Sequence, residues 1–528
     1  MENKPFYLTT TLPYVNSDPH LGFALELAQA DVIARYHKEV LGKEVFFNTG
    51  TDEHGLKIQR KALEEGKDPQ EYVNEYVEKF KQLLPALGIS KDIHFIRTTD
   101  KHHILAAQEF WKLCDKNGDI YKKNYKIKYC VGCELEKTES DLNENGKCLV
   151  HPHLDIELID EENYFFQFSK YQKPLLDLYK KYPDFVLPSH RLTEIQKFVE
   201  SGLVDFSISR LKSKMSWGVP VPGDDSQVMY VWFDALINYV STLGWGKEAD
   251  KSARYNTQGS ALIYGLFEKF WGTLKNPNAI QIAGKDNLRQ QAAMWQAMLM
   301  SAGLPTSRQI IIHGFINSNG QKMSKSLGNV ADPFEIIAKL KSLGLTNEQA
   351  GEALRYYLLR EISTFEDGDY TWEKFVESYN AGLANGIGNL TSRILKMAVN
   401  AGCSLPIYGQ SSKADKSANY IESYELQKAL DAIWKKIQDC DIYIQKHEPF
   451  KKIKVDLEGG KEDIKFLLSE LNQIAFSLKP FLPFISEKIL TYLKNNIGSS
   501  HEALAKGDNA LKTPSEENIP KLFPRIET

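Results

Sequence analysis

Lys322 and Lys325 lie in a polar segment whose composition suits the binding of a polyphosphate. The segment reads INSNGQKMSKSLGNVADPFE, residues 316–335, and its glycine, serine and asparagine residues leave no apolar period to bury. We expect a mobile loop, and two ammonium groups on such a loop can close over a nucleotide. Solvated surface lysines are the simpler interpretation of this loop taken alone. A second phosphate site elsewhere in the chain would favour the nucleotide.

The segment LPYVNSDPHLGF, residues 12–23, is a candidate for that second site. His20 can donate a hydrogen bond to a phosphate, and Gly22 allows a ligand to approach the backbone closely. A helix that begins here would also direct its N-terminus, which favours anions, at the ligand. A histidine before a glycine is more often an ordinary turn residue. Together with the lysine loop, however, it favours nucleotide binding by both segments.

Three cysteines and one histidine form two close pairs with the spacing of a metal site. YCVGC supplies Cys130 and Cys133, and KCLVH supplies Cys148 and His151. Two pairs of soft ligands joined by a short hairpin suit tetrahedral zinc, and four protein ligands leave no open position for catalysis. We therefore predict one structural zinc per chain. His153 is an alternative fourth ligand, although the spacing favours His151.

The elements that would position these residues have an α/β pattern. FYLTTT, residues 6–11, and VFFNT, residues 45–49, are β-prone, and the stretch between them has apolar residues at helical spacing until Gly42. Strand, helix and strand at this spacing predict a parallel crossover, with its ligand crevice where strand passes to helix. Asp332, Pro333 and Glu335 predict a helix start after the lysine loop. From about residue 376 the pattern is helical almost throughout and predicts a bundle.

The totals describe an ordinary soluble chain of several domains. It has 528 residues, 42% of them hydrophobic, and 65 basic against 69 acidic residues give a net charge of −4. Any nucleic acid must therefore bind to local basic patches. No stretch is long and apolar enough for a membrane span, and the N-terminus leads directly into a strand, so we expect a cytoplasmic protein without a membrane partner.

Several motifs resemble those of one family. PHLGF is similar to the HIGH signature, and KMSKS is the second signature, of class I aminoacyl-tRNA synthetases. TLPYVN, GTDEHG, YVWFDALINY, GKDNLR and LFPRIE are similar to segments of the methionyl-tRNA synthetases within that class. The resemblance covers nearly the whole chain. It implies ATP, L-methionine and tRNA(Met) as partners, with activation to methionyl-adenylate followed by transfer to the 3′ end of the tRNA.

The resemblance also implies a domain organisation. The fold class is α/β, with a Rossmann-type parallel nucleotide-binding domain split by a zinc-knuckle connective peptide and followed by an all-α anticodon-binding bundle. The expected boundaries are 1–115 and 227–330 for the two Rossmann halves, 116–226 for the connective peptide, 331–375 for a stem-contact linker and 376–528 for the bundle. Because no further domain follows the bundle, we expect a monomer.

The implied nucleotide site combines both signatures. His20, Lys322 and Lys325 would be catalytic, stabilising the phosphates and the leaving pyrophosphate, and magnesium should accompany ATP. The implied ATP-binding set is His20, Gly22, Phe23, Gly284, Asp286, Lys322 and Lys325. Asp286 of GKDNLR would bind the ribose hydroxyls. Phe23 departs from the family, because the last position of the HIGH signature is usually a second histidine.

The implied amino-acid site is mostly aromatic and aliphatic, which suits a polarizable thioether. Its members would be Leu12, Tyr14, Asp52, Trp232, Ala235, Leu236, Tyr239, Asn287 and Gln291. Asp52 of GTDEHG would hold the methionine ammonium, although Asp52 and Asp286 taken singly could be strand-end turn residues. Asn287 and Gln291 depart from the family, which usually has an apolar residue and a histidine there. If the segment is helical, the amide of Gln291 could serve the thioether or Tyr14.

Three residues of the helical region match the family's anticodon contacts. Asn389 and Arg393 of GNLTSR are four apart on a predicted helix, and Phe450 of HEPFKK stands where a tryptophan is common. Phenylalanine keeps the ability to stack on a base.

The departures from the family at Phe23, Asn287 and Gln291 motivate an alternative function, a degenerate synthetase that only binds nucleotide or RNA. Another class I synthetase, for leucine, isoleucine, valine or cysteine, is a third possibility. The first three usually carry a longer insertion, and the cysteine enzyme places zinc at the amino acid with a different ligand spacing.

Overall fold

The structure is a computed structural model that describes residues 4–133, 135–137, 139–246, 265–323, 329–403, 416–497 and 518–527. The strands in chain order are β1 (Phe6–Thr9), β2 (Val45–Thr51), β3 (His94–Arg97), β4 (Ile120–Cys130), β5 (Leu135–Lys137), β6 (Glu157–Phe166), β7 (Val186–Leu187), β8 (Phe206–Ser207), β9 (Ser209–Leu211), β10 (Pro220–Val221), β11 (Asp224–Met229), β12 (Ala279–Gly284), β13 (Gln309–His313), β14 (Ile316–Ser318), β15 (Gln321–Lys322) and β16 (Gly368–Tyr370).

The α-helices are α1 (Leu21–Arg35), α2 (Leu56–Glu64), α3 (Pro69–Ala86), α4 (Lys101–Lys116), α5 (Gln172–Lys181), α6 (Ser189–Glu200), α7 (Val231–Ala235), α8 (Asn238–Ser241), α9 (Trp295–Ser301), α10 (Pro333–Ser342), α11 (Asn347–Arg360), α12 (Trp372–Ser378), α13 (Asn389–Ala401), α14 (Lys416–Glu422), α15 (Leu426–His447), α16 (Pro449–Lys452), α17 (Leu457–Leu478) and α18 (Pro483–Tyr492). Shorter 3₁₀ turns occur at Glu139–Asp141, Phe168–Tyr171 and Lys285–Asn287. Wider π-helical turns occur at Tyr36–Val40, Phe267–Trp271, Gln290–Met294, Tyr379–Gly388 and Leu493–Ile497.

The chain forms two compact units, each assembled from separate segments. The first unit comprises Met1–Asp18, Lys43–Lys81 and Asp92–Ile312, and the second comprises Pro19–Gly42, Gln82–Lys91 and His313–Thr528. Among the described residues, no helix has both the length and the apolar character needed to cross a membrane.

A six-stranded parallel sheet organises the first unit. Its order is β3-β2-β1-β12-β13-β7, and β1 pairs in parallel with both β2 and β12. The predicted crossover is confirmed, because α1 separates two neighbouring parallel strands along the chain. The core is strongly aromatic: the rings of Phe110 and Trp295 stack at 5.7 Å, and Tyr7 meets Trp271 edge-on at 5.8 Å. Such large rings supply much of the apolar burial on which the sheet depends.

An antiparallel sheet is inserted within the first unit: its strands β4, β5 and β6 lie between α4 and β7 along the chain, and β8 follows α6. Its order is β5-β4-β6-β8, and β4 pairs with β6 continuously from Ile120↔Phe166 to Tyr129↔Glu157. This two-stranded ribbon ends at Cys130, so its far end holds the predicted metal ligands. The expected division of a parallel domain by a knuckle-bearing insertion is confirmed.

The second unit is mainly helical. Its small sheet has the order β15-β14-β16, and α10 to α18 make up most of the rest. The predicted start of α10 is confirmed: the Asp332 side chain accepts a hydrogen bond of 2.7 Å from the Phe334 N–H, and Pro333 occupies the first turn. The predicted helical pattern after residue 376 is confirmed by α12 to α18.

Arg355 of α11 is a fully buried charge of the second unit. Its side chain is fully buried and lies 2.6 Å from Asp31 of α1. Arg355 also donates to the backbone carbonyls of Phe481, at 2.6 Å, and Pro480, at 2.9 Å. Burial acts to raise the pKa of Asp31, but the charges of Arg355 and Arg35 outweigh it and hold that pKa below its usual value. One guanidinium therefore ties α1 to the turn between α17 and α18.

Glu352 lies one turn before Arg355 and is also buried. Its carboxylate accepts hydrogen bonds from the backbone N–H groups of Phe484 and Ile485, at 2.5 and 3.0 Å. Burial raises the pKa of Glu352 to about 7, and these two donors limit the rise because they favour the charged form. Glu352 and Arg355 thus satisfy backbone groups at the end of α17 and the start of α18, which would otherwise be buried without partners.

Candidate active site and metal site

Asp52 and Tyr14 lie side by side at the carboxyl end of β2 in the first unit. The Asp52 N–H donates to the Pro13 carbonyl at 3.0 Å, and the Val15 N–H donates to the Asp52 carbonyl at 3.1 Å. Asp52 is 6% exposed, whereas Leu12 and Tyr14 are half-buried. The backbone pairing therefore fixes a nearly buried carboxylate beside an aromatic ring. A cation such as an ammonium suits this arrangement.

Glu53, the neighbouring acid in GTDEHG, is hydrogen-bonded to other residues of the protein. Arg97 donates to both of its carboxylate oxygens, at 2.7 and 2.8 Å, and the hydroxyls of Thr51 and Thr99 each donate at 2.5 Å. Glu53 is fully buried and these four donors fill its acceptor sites. Of the two adjacent acids, Glu53 is therefore the one whose acceptor sites are filled within the protein.

The segment YVWFDALINY forms α7 and α8 in the first unit. Ala235, Leu236 and Tyr239 are 6%, 2% and 2% exposed, so they are largely part of the core. Trp232 is half-buried, and its buried Nε1 atom has no hydrogen-bond partner within the described part of the chain. An indole N–H normally finds an acceptor when it is buried. A ligand with an acceptor near Trp232 would satisfy it.

Asp234, within the same segment, joins two buried histidines that the sequence did not identify. Its two oxygens lie 2.6 Å from Nδ1 of His54 and 2.9 Å from Nε2 of His103, and His103 Nδ1 is 2.9 Å from the Ser241 hydroxyl. Burial alone would raise the pKa of Asp234, but the charge of His54 and the hydrogen bonds from both histidines lower it to about 2. The network connects GTDEHG to YVWFDALINY. Its sequence signal was a lone aspartate in an apolar run.

Arg210 is a second residue that the sequence did not identify. It is 6% exposed, and its guanidinium lies 4.4 Å from the ring centre of Tyr230 and 5.3 Å from that of Tyr129. Tyr129 immediately precedes the first metal-ligand candidate, and Tyr230 is two residues before Trp232. Arg210 therefore links the knuckle ribbon with the aromatic segment. No local pattern in the sequence marks an arginine held between two rings.

Gln291 is 2% exposed and bonds to a different tyrosine from the one considered in the sequence analysis. Its Nε2 donates to the Tyr239 hydroxyl at 2.6 Å, and its Oε1 accepts from Gln281 Nε2 at 3.0 Å. The amide thus contacts Tyr239 instead of Tyr14. Asn287 and Gln291 do not share a regular α-helical face, because the first lies in a 3₁₀ turn and the second in a π-helical turn.

GKDNLR follows β12, at the carboxyl end of the central strand of the first unit. Gly284 is buried and caps the 3₁₀ turn Lys285–Asn287. Asp286 is exposed, and Asn287 donates to its Oδ1 at 3.3 Å. In open α/β sheets, ligands bind at the carboxyl ends of the central parallel strands, where Asp286 lies. A carboxylate at this position can accept hydrogen bonds from two neighbouring hydroxyls of a ligand.

His20 caps the N-terminus of α1 in the second unit. Its Nδ1 accepts a hydrogen bond of 3.0 Å from the Gly22 N–H. In the neutral ring the proton therefore lies on Nε2, which becomes the donor. Gly22 is required for this arrangement, since a Cβ atom there would lie 2.9 Å from Cε1 of His20. Phe23 is 7% exposed and packs inside the unit.

The lysine segment begins in a tight hairpin of the same unit. Asn319 and Gly320, with φ of 53° and 72°, form a two-residue turn of the type that Asn-Gly favours, and β15 then ends at Lys322. Lys325 falls outside the described residues. The Leu21 N–H of α1 donates to the Ala331 carbonyl at 3.1 Å. The start of the His20 helix therefore contacts the chain shortly after the lysine segment, at Ala331.

Cys130, Cys133, Cys148 and His151 converge as predicted, with all their ligand atoms within 4.8 Å of one another. Cys133 Sγ lies 3.5 Å from Cys148 Sγ and 3.2 Å from His151 Nδ1. Zinc bonds of about 2.0–2.3 Å in a tetrahedron give ligand separations of roughly 3.5–3.8 Å, so the group can hold such an ion. His153 is exposed and not part of the group.

The candidate anticodon residues lie in the helical part of the second unit. Asn389 and Arg393 are one turn apart on α13, as predicted, with Asn389 exposed and Arg393 half-buried. Arg393 pairs with Asp441 of α15 at 2.6 Å. Phe450 lies on α16 and is 42% exposed, which is unusual for so large an apolar ring. An exposed ring beside Lys451 suits stacking on a nucleic acid base.

Comparison with known proteins gives one consistent family. The model described as tRNA synthetases class I (M) matches residues 6–149 and 132–395. The chloroplastic/mitochondrial methionine–tRNA ligase of Arabidopsis thaliana is 39% identical, over all of this chain and 84% of the relative. That of Thermotoga maritima is 39% identical, over 92% of this chain and 74% of the relative.

A solved structure agrees with these relatives. Mycobacterium tuberculosis methionyl-tRNA synthetase in complex with methionyl-adenylate superposes with a TM-score of 0.83 at 33% identity, covering 99% of this chain and all of that one. The other class I synthetases considered in the sequence analysis are not the family of these relatives. The chain belongs to the methionyl-tRNA synthetases, a family of class I aminoacyl-tRNA synthetases.

Proposed function

We propose that this chain is a methionine–tRNA ligase that charges tRNA(Met) in two steps. The carboxylate of L-methionine attacks the α-phosphorus of ATP, the bond to the bridging oxygen breaks, and pyrophosphate leaves. A hydroxyl of the 3′-terminal ribose then attacks the acyl carbon of methionyl-adenylate, and AMP leaves. Neither step requires a covalent bond to the enzyme, so catalysis depends on positioning and on the neutralisation of charge.

One observation carries this proposal. Asp52 and Tyr14 are held together by their backbones at the carboxyl end of β2, in a chain that is 39% identical over its full length to a methionine–tRNA ligase. A nearly buried carboxylate beside an aromatic ring is the expected receptor for the ammonium of an amino acid. The degenerate-synthetase alternative has no comparable support.

The proposed phosphate roles follow the two signatures. Nε2 of His20 donates to the phosphates of ATP, and the lysines Lys322 and Lys325 neutralise the departing pyrophosphate. Magnesium, when bound with ATP, supplies further neutralisation of the phosphate charge. Gly22 and Phe23 shape the helix start, because the glycine leaves room for the ring of His20. Gly284 gives space for the nucleotide, and Asp286 receives the ribose hydroxyls.

The proposed methionine pocket uses the carboxylate of Asp52 for the ammonium and an apolar wall for the side chain. Trp232 and Tyr14 supply the aromatic surface, and Tyr239 and Gln291 supply the polar contact at the sulfur end. The remaining members of the wall are Leu12, Ala235, Leu236 and Asn287. A polar contact is needed because one methylene alone discriminates by only about 1–3 kcal/mol.

We also propose that the tRNA anticodon binds to the helical bundle, residues 376–528. Asn389 and Arg393 contact bases, and Phe450 stacks on one, a contact worth roughly 1–3 kcal/mol. The two Rossmann halves are residues 1–115 and 227–330, the connective peptide is 116–226, and 331–375 contacts the tRNA stem. The enzyme acts as a monomer in the cytoplasm.

The proposed metal is one structural zinc ion per chain, held by Cys130, Cys133, Cys148 and His151. Gly132 allows the ligands to meet, since a Cβ atom there would lie 2.6 Å from Cγ of His151. Bound zinc contributes to folding an element that has little core of its own, on the order of 10 kcal/mol for small zinc domains.

We expect protein purified without added zinc to contain about one zinc per chain by elemental analysis. Cys148→Ala should lose the metal and make residues 131–156 more sensitive to protease, because the segments that carry the ligands lose their common anchor. Cys114→Ala is the matched control: Cys114 is also buried but is outside the ligand group, and its variant should keep the zinc. Wild-type protein without zinc, or full zinc content in Cys148→Ala, would contradict the assignment.

ATP–pyrophosphate exchange across the twenty amino acids tests the proposed function. We expect exchange that depends on methionine, with every natural competitor at least about 100-fold lower in kcat/KM. Lys322→Ala should reduce exchange, since it removes one of the two cations that neutralise the leaving group. Absence of methionine-dependent exchange in zinc-loaded wild-type protein would exclude the ligase activity. It would favour the alternative, a degenerate synthetase that only binds nucleotide or RNA.

A further inference from the structure

The hairpin of β14 and β15 in the second unit is held at its turn by the neighbouring strand β16. The hairpin ladder ends on either side of the two turn residues, Asn319 and Gly320, so their N–H groups fall outside it. Both N–H groups are bound by β16 instead. Asn319 donates to the Tyr370 carbonyl at 3.2 Å, and Gly320 donates to Oδ1 of Asp369 at 2.7 Å. The turn is therefore fixed to a strand 49 residues further along the chain.

Asp369 is itself held in place by three contacts. Its backbone is in register with Asn317 of β14, and its carbonyl accepts a hydrogen bond of 2.9 Å from the Tyr357 hydroxyl. Its second carboxylate oxygen lies 3.5 Å from Nζ of Lys374. An ionised carboxylate is a stronger acceptor for a backbone N–H than a neutral group. Asp369 therefore gives the turn a fixed support on β16.

The base of the same hairpin lies beside the helix start that carries His20. A Cβ atom on Gly22 would lie 4.0 Å from Cγ2 of Ile316, the first residue of β14. Just before β14, Nε2 of His313 lies 2.9 Å from the carboxylate of Glu26 on α1, and both side chains are buried. The hairpin is thus held against α1 at its base and against β16 at its turn.

We propose that Asp369 is a positioning residue for the activation step, because it fixes the turn from which Lys322 follows. Only Gln321 separates Gly320 from Lys322, and both residues of β15 are paired with β14. A shift of the turn therefore moves the lysine relative to His20. Stabilisation of a leaving group by a positive charge depends on where that charge is placed. This inference rests on the proposed function, in which Lys322 neutralises the departing pyrophosphate.

Asp369→Ala removes the acceptor for the Gly320 N–H and leaves the backbone pairing of β16 intact. We expect kcat/KM for ATP, measured by ATP–pyrophosphate exchange, to fall about five-fold, the factor that corresponds to one lost, partly exposed hydrogen bond. The Kd for methionine, measured by equilibrium dialysis, should not change, because Asp52 and Tyr14 belong to the first unit. Asp369→Asn should remain within about two-fold of the wild type, since its amide oxygen still accepts from Gly320.

A double-mutant cycle with Lys322→Ala separates positioning from a general structural role. If Asp369 acts through Lys322, Asp369→Ala should cost less than about two-fold when the lysine is already absent. A merely structural contribution would instead cost the same factor in both backgrounds. Equal losses in the two backgrounds would overturn the inference.

Asp456→Ala is the matched control, because Oδ1 of Asp456 also accepts from a glycine N–H of the second unit, that of Gly459 at 3.0 Å. It should leave kcat/KM for ATP unchanged. Tyr357→Phe keeps the test decisive if Asp369→Ala does not fold. It removes the hydroxyl that holds the Asp369 carbonyl and should lower kcat/KM for ATP at least two-fold, again without changing the Kd for methionine.

An unchanged kcat/KM for ATP in folded Asp369→Ala, or in Tyr357→Phe if only that variant folds, would overturn the inference. An equal fall in Asp456→Ala would do the same. Exchange by the wild-type protein would still leave the proposed function standing in these cases, whereas its absence would overturn both.

Discussion

Asp52→Asn is expected to lower kcat/KM for methionine by roughly 30- to 1,000-fold in ATP–pyrophosphate exchange. Removing one partner of a buried, hydrogen-bonded charge pair costs about 2–4 kcal/mol, because the other charge then lacks its counter-ion. In the proposed pocket that other charge is the methionine ammonium. Asparagine keeps the size of the side chain and does not alter the backbone hydrogen bonds to Pro13 and Val15, so the fold should be preserved.

The result for ATP separates this role from a general loss of structure. The KM for ATP should change little in Asp52→Asn, because the carboxylate is assigned to the amino acid alone. Asp177→Asn makes the same charge change at an exposed helix position, where the side chain is 62% exposed, and should leave both constants unchanged. Equal losses for methionine and ATP, or no loss at all, would show that Asp52 does not hold the ammonium.

Arg355→Leu is expected to lower the unfolding free energy by about 3–5 kcal/mol in urea titrations. The substitution leaves the buried carboxylate of Asp31 with fewer compensating charges. It also removes the donors to the Phe481 and Pro480 carbonyls. Breaking a buried ion pair by removing one partner is strongly destabilising. The Phe481 and Pro480 carbonyls add to the loss, because a buried polar group that loses its hydrogen bond destabilises the fold.

An exposed ion pair provides the comparison for this prediction. Lys435 and Asp439 lie 2.5 Å apart but are 63% and 56% exposed, so Lys435→Ala should cost less than about 1 kcal/mol. If the two variants unfold at the same urea concentration, Arg355 does not anchor the second unit. A change only in the m-value, the slope of the unfolding free energy against urea concentration, would instead indicate a change in the unfolded state.

Local signals in the sequence were sufficient for much of this fold. The parallel crossover followed from two β-prone stretches around a helical period, and the start of α10 followed from Asp332 and Pro333. The four metal-ligand candidates followed from spacing alone, and the structure selects His151 over His153. Each of these features depends on residues close together in the chain, where backbone preferences and short loops restrict the geometry.

Other features of the candidate site depend on distant partners. Nothing local distinguishes Asp52 from Glu53, and the distinction comes from Arg97, which fills the acceptor sites of Glu53. We expected the Gln291 amide to serve the thioether or Tyr14 if its segment were helical; in the structure Gln291 lies in a π-helical turn, where regular α-helical spacing does not hold, and it donates to Tyr239. Gln291 also accepts from Gln281 of β12, which in turn accepts from Ser307, so no pattern around Gln291 could reveal these partners.

The grouping of α1 has a practical consequence for dissecting the molecule. The segment Pro19–Gly42 follows and precedes residues of the first unit along the chain, yet it belongs to the second unit, where its Asp31 neutralises Arg355. A C-terminal fragment that starts at His313 would thus carry a buried guanidinium with no counter-ion, and an N-terminal fragment would expose an orphan apolar helix. Neither fragment should be expressible as a stable product.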